Sequence, residues 1–221
     1  MTTLTRSRPG APHIPMTAAP LIATRVTKGF GAARALDGVS LDVRRGEIYA
    51  VVGANGAGKS TLLSIFAGSV RADSGTTVIF GHDAAGEASF VRPLITHVAA
   101  DRLVGSTGSD AEHAPRGMLR RRAIAHAYLC APALVLLDEP TTGLDIRSKR
   151  ELQAFILDLR AGHDATIVVA THDLDEAERI ADRIGVLDGG RLVAAGTADE
   201  LCARYGASRL EDMFMAATAA R

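Results

Sequence analysis

The stretch "GEIYAVVGANGAGKSTLLSIFAG", residues 46–68, decides how this chain folds. Ile48 to Val52 is an unbroken apolar run, as a parallel strand buried on both faces requires. The end of the stretch has apolar residues at helical spacing and stops at Gly68, a good C-terminal helix signal. Between them lies "GANGAGKST", residues 53–61, which fits the pattern G-x-x-x-x-G-K-[ST]. The pattern sits where its mechanism needs it, after a buried strand and at a helix start. Gly53, Gly56 and Gly58 let the backbone wrap round a phosphate and aim its N–H groups inward. Ala54, Asn55, Ala57 and Thr61 complete that wrap. The helix N-terminus adds a field that favours anions. Lys59 is placed to reach the β- and γ-phosphates of a nucleoside triphosphate, and Ser60 to coordinate Mg²⁺.

Downstream, "LVLLDEP" (134–140) ends an apolar run on two acids. Asp138, at the end of a buried strand, is positioned to hold Mg²⁺ through water, and Glu139 to position or deprotonate an attacking water. "VVATHDLDEA" places His172 after a third apolar strand, where ligands bind in sheets of this kind. It is a candidate γ-phosphate sensor.

Further out, "LIATRVTKGFG" from Leu21 and "SGTTVIFGHD" from Ser74 read as strands, and "ALVLL" and "ATIVVA" as buried ones. "IRSKRELQAFILDLRAG" is amphipathic, with Leu152, Phe155, Ile156 and Leu159 on one face. "LDEAERIADRI" reads as a further helix and "IGVLDGGRLVAAG" as a hairpin turning on Asp-Gly-Gly. Two short helices follow. Buried strands alternating with helices predict an α/β fold: a P-loop NTPase with a mostly parallel sheet flanked by helices, plus an antiparallel β part.

Composition removes other classes. Lys plus Arg and Asp plus Glu are 25 each, so the basic excess of a dedicated nucleic-acid binder is absent. Trp is missing and aromatics are 4%, which argues against stacking platforms for single strands. No apolar run approaches the ~18 residues of a membrane helix. Cys130 and Cys202 lack metal-type spacing and are expected to be thiols in a reducing compartment. Residues 1–20, rich in Thr, Pro and Ala, are expected to form a disordered N-terminal arm, with one domain over residues 21–221.

The motifs in order, the P-loop, "LVLLDEP", "TTGLD" (141–145) and "THD" (171–173), resemble the ATP-binding subunits of ABC transporters from about Leu21 onward. The resemblance implies ATP and Mg²⁺ as ligands and Phe30 as the aromatic that stacks on adenine. It implies that Asp145 belongs to a loop crossing a dimer interface and that His172 is a switch histidine acting with Glu139 in catalysis. It also implies a homodimer or heterodimer, a separate membrane permease as partner, no nucleic acid, and a cytoplasmic place at the inner face of the plasma membrane. The tail "RLEDMFMAATAA" is similar to those of subunits serving drug-export or polysaccharide-export permeases.

The chain departs from the family in one region. The signature pattern Leu-Ser-Gly-Gly-Met aligns with Ala114, Pro115, Arg116, Gly117 and Met118. Only Gly117 and Met118 match. Pro115 has no hydroxyl to donate to a partner's γ-phosphate, whereas Arg116 brings a positive charge to the same place. Ala100 stands where a loop glutamine is usual. Only Arg102 to Arg116 separate Asp101 from Gly117, so the helical subdomain is largely missing. Arg120, Arg121 and Arg122 are expected to form a solvated or interface face. Two readings follow: a transport ATPase whose own turnover is slow, or a degenerate ATP-binding regulatory subunit. A third reading, a soluble ABC protein of repair or translation, is disfavoured, since those usually carry a second nucleotide domain or long inserts and this sequence shows neither.

Overall fold

A computed structural model describes residues 18–99, 116–129, 132–163 and 165–219. The chain opens with antiparallel strands β1 (Leu21–Phe30) and β2 (Ala33–Val43). Strand β3 (Ile48–Val52) enters a second sheet and feeds helix α1 (Lys59–Phe66). Strands β4 (Ser74–Ile79) and β5 (His82–Asp83) return to the first sheet, and α2 (Ala88–Val91) with a 3-10 turn leads to β6 (Ile95–Ala99). Then follow α3 (Arg116–Leu129), β7 (Leu134–Asp138), α4 (Ile146–His163), β8 (Thr166–Thr171) and α5 (Leu174–Ile180). The hairpin β9 (Arg183–Asp188) and β10 (Arg191–Gly196) comes next, and α6 (Ala198–Tyr205) and α7 (Leu210–Ala219) close the fold.

The first sheet is antiparallel, in the order β2-β1-β4-β5. The second runs β10-β9-β3-β8-β7-β6, parallel throughout except for β10 at its edge. The mixed α/β architecture expected from the alternating pattern is therefore present. Side-chain alternation along β3 explains why it had to be wholly apolar. Tyr49 and Val51 face Leu62, Leu63 and Phe66 of α1 and the antiparallel sheet. Ile48, on the other face, joins Ile124 of α3 and Leu152 and Ile156 of α4. Ala50 and Val52 meet Ala177, Leu201, Leu210 and Met213 of α5 to α7. The four-residue apolar face read on α4 lies inward, with Leu152 and Ile156 fully buried and Phe155 and Leu159 partly so.

Two local differences have physical causes. The helix expected across 174–184 ends at Ile180, because Ala181 turns extended and Asp182 binds Ile48 through both N–H to carbonyl (2.8 Å) and carboxylate to N–H (2.8 Å). That clamp brings Ile184 into register beside Ala50. Strand β6 went unrecognised because Thr96 and His97 interrupt its apolar run; it is an edge strand whose residues are all half-buried. Cys202 is a free, half-buried thiol. The expected disordered arm (apart from residues 18–20), Ala100, residues 101–115 and Cys130 lie outside the described residues. Residues 100–115 alone connect β6 to α3.

Candidate nucleotide site

Strand order sets the site. β3, β8 and β7 are neighbours, and their carboxyl ends deliver Gly53, His172 and the Asp138–Glu139 pair side by side. Val52 is level with Thr171, and Asp138 with Ala170. In open parallel sheets this edge is where ligands bind.

The glycine loop is wedged between the strands around it. A Cβ at Gly53 would lie 2.3 Å from the Leu187 carbonyl oxygen, and one at Gly58 2.4 Å from that of Ala35. Gly58 also has φ +106, which only glycine adopts readily. The tip of the β9–β10 hairpin supports the loop from outside: Gly190 N–H donates to the Ala57 carbonyl at 3.0 Å. Ala54, Asn55, Gly56 and Ser60 remain exposed. At the start of α1 the N–H groups have no carbonyl partners within the helix, which leaves them for an anion. Gly53→Ala is expected to lower stability by about 1–3 kcal/mol in urea unfolding, since backbone rather than a movable side chain blocks the new methyl. Gly162→Ala, in exposed α4 with open space around it, is the control and should gain or lose under ~1 kcal/mol.

Lys59 is 5% exposed, so it is a buried cation that needs partners. Its Nζ donates to the carbonyls of Gly53 (2.8 Å) and Ala54 (3.1 Å) and lies 3.3 Å from Glu139 Oε1. The other carboxylate oxygen of Glu139, Oε2, accepts from Thr142 Oγ1 at 2.8 Å and stands 2.7 Å from His172 Nδ1. Burial would raise the Glu139 pKa. The Thr142 hydroxyl, Lys59 and His172 outweigh it and hold the carboxyl below its ordinary range. Asp138, next to it, goes the other way: burial pushes it up, against the Ser60 hydroxyl that hydrogen-bonds it. Adjacent acids driven apart by their surroundings mark a division of roles.

Asp138 Oδ1 is buried with no hydrogen-bond partner. An orphaned carboxylate oxygen beside a serine hydroxyl, both hard oxygen donors, suits Mg²⁺ completed by phosphate oxygens and water. No cluster of three or more His, Cys, Asp or Glu side chains that could hold a metal exists among the described residues, so the protein supplies only part of such a shell.

The remaining expected site residues divide. Phe30, at the end of β1, is 54% exposed with Lys28 Nζ 5.3 Å from its ring centre, so it is an accessible aromatic face and not a core residue. The Asp145 carboxylate accepts from Ser148 N–H (2.9 Å) and Oγ (2.7 Å) and so caps the start of α4. Arg116 begins α3, Gly117 is buried where a Cβ would come 2.8 Å from Ser148 Cβ, and Met118 is 63% exposed. Ala114 and Pro115 fall outside the described residues. Of the three arginines expected on a solvated or interface face, Arg121 and Arg122 are exposed and Arg120 is half-buried. Arg120 Nη1 turns toward the neighbouring loop and donates to the carbonyls of Pro140 and Thr142. Arg121 stacks over Phe155 at 5.7 Å and pairs with Glu151 at 3.4 Å.

Sequence reasoning missed Thr142, although "TTGLD" contained it, because a hydroxyl donor to a neighbouring acid has no pattern of its own. It also missed Glu176, fully buried in the first turn of α5, whose two carboxylate oxygens have no hydrogen-bond partner and whose pKa burial pushes up. Lys149 is ion-paired with Asp173, the cap of α5, which ties α4 to the loop carrying His172.

Comparison with known proteins identifies the family and the fold. Residues 36–113 match the family described as ABC transporter. The daunorubicin resistance ATP-binding protein DrrA3 of Streptomyces coeruleorubidus is 35% identical over 83% of this chain and 70% of its own length. The daunorubicin/doxorubicin resistance ATP-binding protein DrrA of Streptomyces peucetius is 36% identical over 84% of this chain and 67% of its own. A solved ATP-binding subunit of an ABC transporter superposes with a TM-score of 0.74 at 25% identity, covering 89% of this chain and 98% of that one. The cbiO1 subunit of Clostridium perfringens, part of the cbiONQ transporter complex, has the same fold (TM-score 0.72, 24% identity, 84% and 91% covered).

Proposed function

The chain belongs to the ATP-binding subunits of ABC transporters, and from that premise we propose that it hydrolyses Mg-ATP slowly alone and faster beside a partner with a regular signature segment. The observation that carries this reading is the meeting of Lys59 with Glu139 at 3.3 Å on the rim of the glycine loop. The cation that draws in phosphate and the acid that acts on water share one spot.

The residues take the following parts. Backbone N–H groups of residues 53 to 61 cradle the phosphates, and the exposed ring of Phe30 stacks on the base. Ser60 and Asp138 would hold Mg²⁺, which when bound screens the charge on the phosphates. Lys59 leaves the Gly53 and Ala54 carbonyls for the stronger charge of a phosphate. Thr142 and His172 both engage Glu139 Oε2, so the oxygen left to take a proton from water is Oε1, which faces Lys59. Once phosphate occupies Lys59, Oε1 is released for that task. His172 keeps the carboxylate aimed and reports on the γ-phosphate.

The chain's own turnover is limited at Ala114, Pro115 and Arg116, where a partner's γ-phosphate would meet no serine hydroxyl. Two copies facing each other would share that defect. Asp145 and Met118 lie on the surface each presents to its partner, with Gly117 buried beneath it. The dimer acts on a separate membrane permease at the inner face of the plasma membrane; among the described residues no helix is long and apolar enough to cross a membrane itself. A second reading, a nucleotide-gated regulatory subunit, is favoured by the single short link of residues 100–115 between β6 and α3. ATP turnover of the purified chain, alone and mixed with a subunit bearing Leu-Ser-Gly-Gly, separates these. A rise on mixing supports the motor. Fast turnover alone contradicts the proposal, and ATP binding without turnover in either sample favours the regulator.

A further inference from the structure

Arg120 occupies the fifth position of α3, four residues after Arg116, and reaches the turn that follows the acid pair. Its guanidinium donates to the Pro140 carbonyl at 2.8 Å and to that of Thr142. These two carbonyls flank Thr141, so one planar group holds both ends of the bend. Thr142 in turn donates its hydroxyl to Glu139 Oε2 at 2.8 Å. The bend needs holding. Glu139 has φ +50, a left-handed backbone that costs a side-chain-bearing residue roughly 1–2 kcal/mol. On its inner side the turn is fastened by Glu139 N–H to the Ala170 carbonyl (2.8 Å). Within it, Thr142 N–H donates to the Glu139 carbonyl (3.3 Å) and Leu144 N–H to the Thr141 carbonyl (3.1 Å). On the outer side Arg120 supplies the bonds to the helix that carries Arg116, Gly117 and Met118.

We propose that Arg120 is a positioning residue: it locks the Glu139 turn to α3, so that a shift at the start of α3 re-aims the Glu139 carboxylate through Thr142. This rests on the proposed role of Glu139 in hydrolysis. Arg suits the task because Nη1 of its planar, rigid guanidinium meets both carbonyls at once, whereas a Lys ammonium is a point charge on a flexible stem.

The test has two arms, using the full chain and the variants Arg120→Ala, Arg120→Lys and Thr142→Val. The first arm needs no nucleotide. Amide hydrogen exchange in the free protein should show Thr142 and Leu144 losing roughly tenfold protection or more in Arg120→Ala, with partial recovery in Arg120→Lys and no change at Ala57 in the glycine loop. Unchanged protection at Thr142 and Leu144 overturns the proposal whatever the ATPase result. The second arm is kinetic. Arg120→Ala should lower kcat by about 10-fold or more while ATP affinity stays within about 2-fold, because the interaction lost serves the reacting geometry and not ground-state binding. Arg120→Ala with Thr142→Val should cost no more than the worse single change, since both act on one path. Losses that multiply overturn the path through Thr142. If the wild type shows no turnover, the proposed function fails, while amide exchange still decides whether Arg120 locks the turn. Should Arg120→Ala fail to fold, Arg120→Lys and Thr142→Val carry both arms.

Discussion

Lys59→Ala is expected to weaken ATP binding by roughly 10- to 100-fold, the worth of one or two hydrogen bonds to a charged group. Lys59 makes three contacts in the free protein, to the carbonyls of Gly53 and Ala54 and to Glu139 Oε1. Removing it takes a cation from a buried spot and leaves two carbonyls without that donor. A stability loss of about 1–3 kcal/mol is therefore expected alongside the binding defect. Glu139 keeps Thr142 and His172, so the chain should still fold. Titration with a fluorescent ATP analogue, with urea unfolding of the same sample, reads both effects. Affinity within 2-fold of the wild type would remove Lys59 from the phosphate site.

The second large effect is on turnover. Glu139→Gln keeps the shape and still accepts from Thr142, but it cannot take a proton. Loss of a general base costs typically ~10²–10⁴-fold in rate. ATP affinity should be preserved, because the cradle at residues 53 to 61 is untouched. ATP should therefore accumulate unhydrolysed, and the ATP-bound dimer should become visible by sizing. Asp138→Asn separates the neighbouring roles. It removes the charge beside Ser60, so its defect should ease as Mg²⁺ is raised, while that of Glu139→Gln should not. Equal turnover in wild type and Glu139→Gln would mean that another group activates water.

The site's frame was readable from sequence because its parts are local. A glycine loop after Ile48–Val52 and an acid pair after an apolar run each lie within one segment, and strand order does the rest. What escaped is what acts between segments. Arg120 looked like one of a row of surface cations, and only the fold shows it turned toward Pro140 and Thr142. Thr142 looked like loop filler. The close approach of Gly53 to Leu187 and of Gly58 to Ala35 depends on strands distant in sequence, although the glycines themselves were plain. Strand β6 was hidden because an edge strand needs no continuous apolar run.

In the proposed function a working Mg-ATP site, built from residues 53–61, Asp138, Glu139 and His172, is held back by an altered signature segment. The most direct measurement is steady-state ATP turnover of the chain beside the triple variant Ala114→Leu, Pro115→Ser, Arg116→Gly. Turnover should rise roughly tenfold or more, as when a hydrogen-bond donor to a charged transition state is restored, and Glu139→Gln should abolish that rise. Turnover that stays the same or falls in the triple variant would contradict the proposed function, and Arg116 and its neighbours would then be a working signature of a different chemistry.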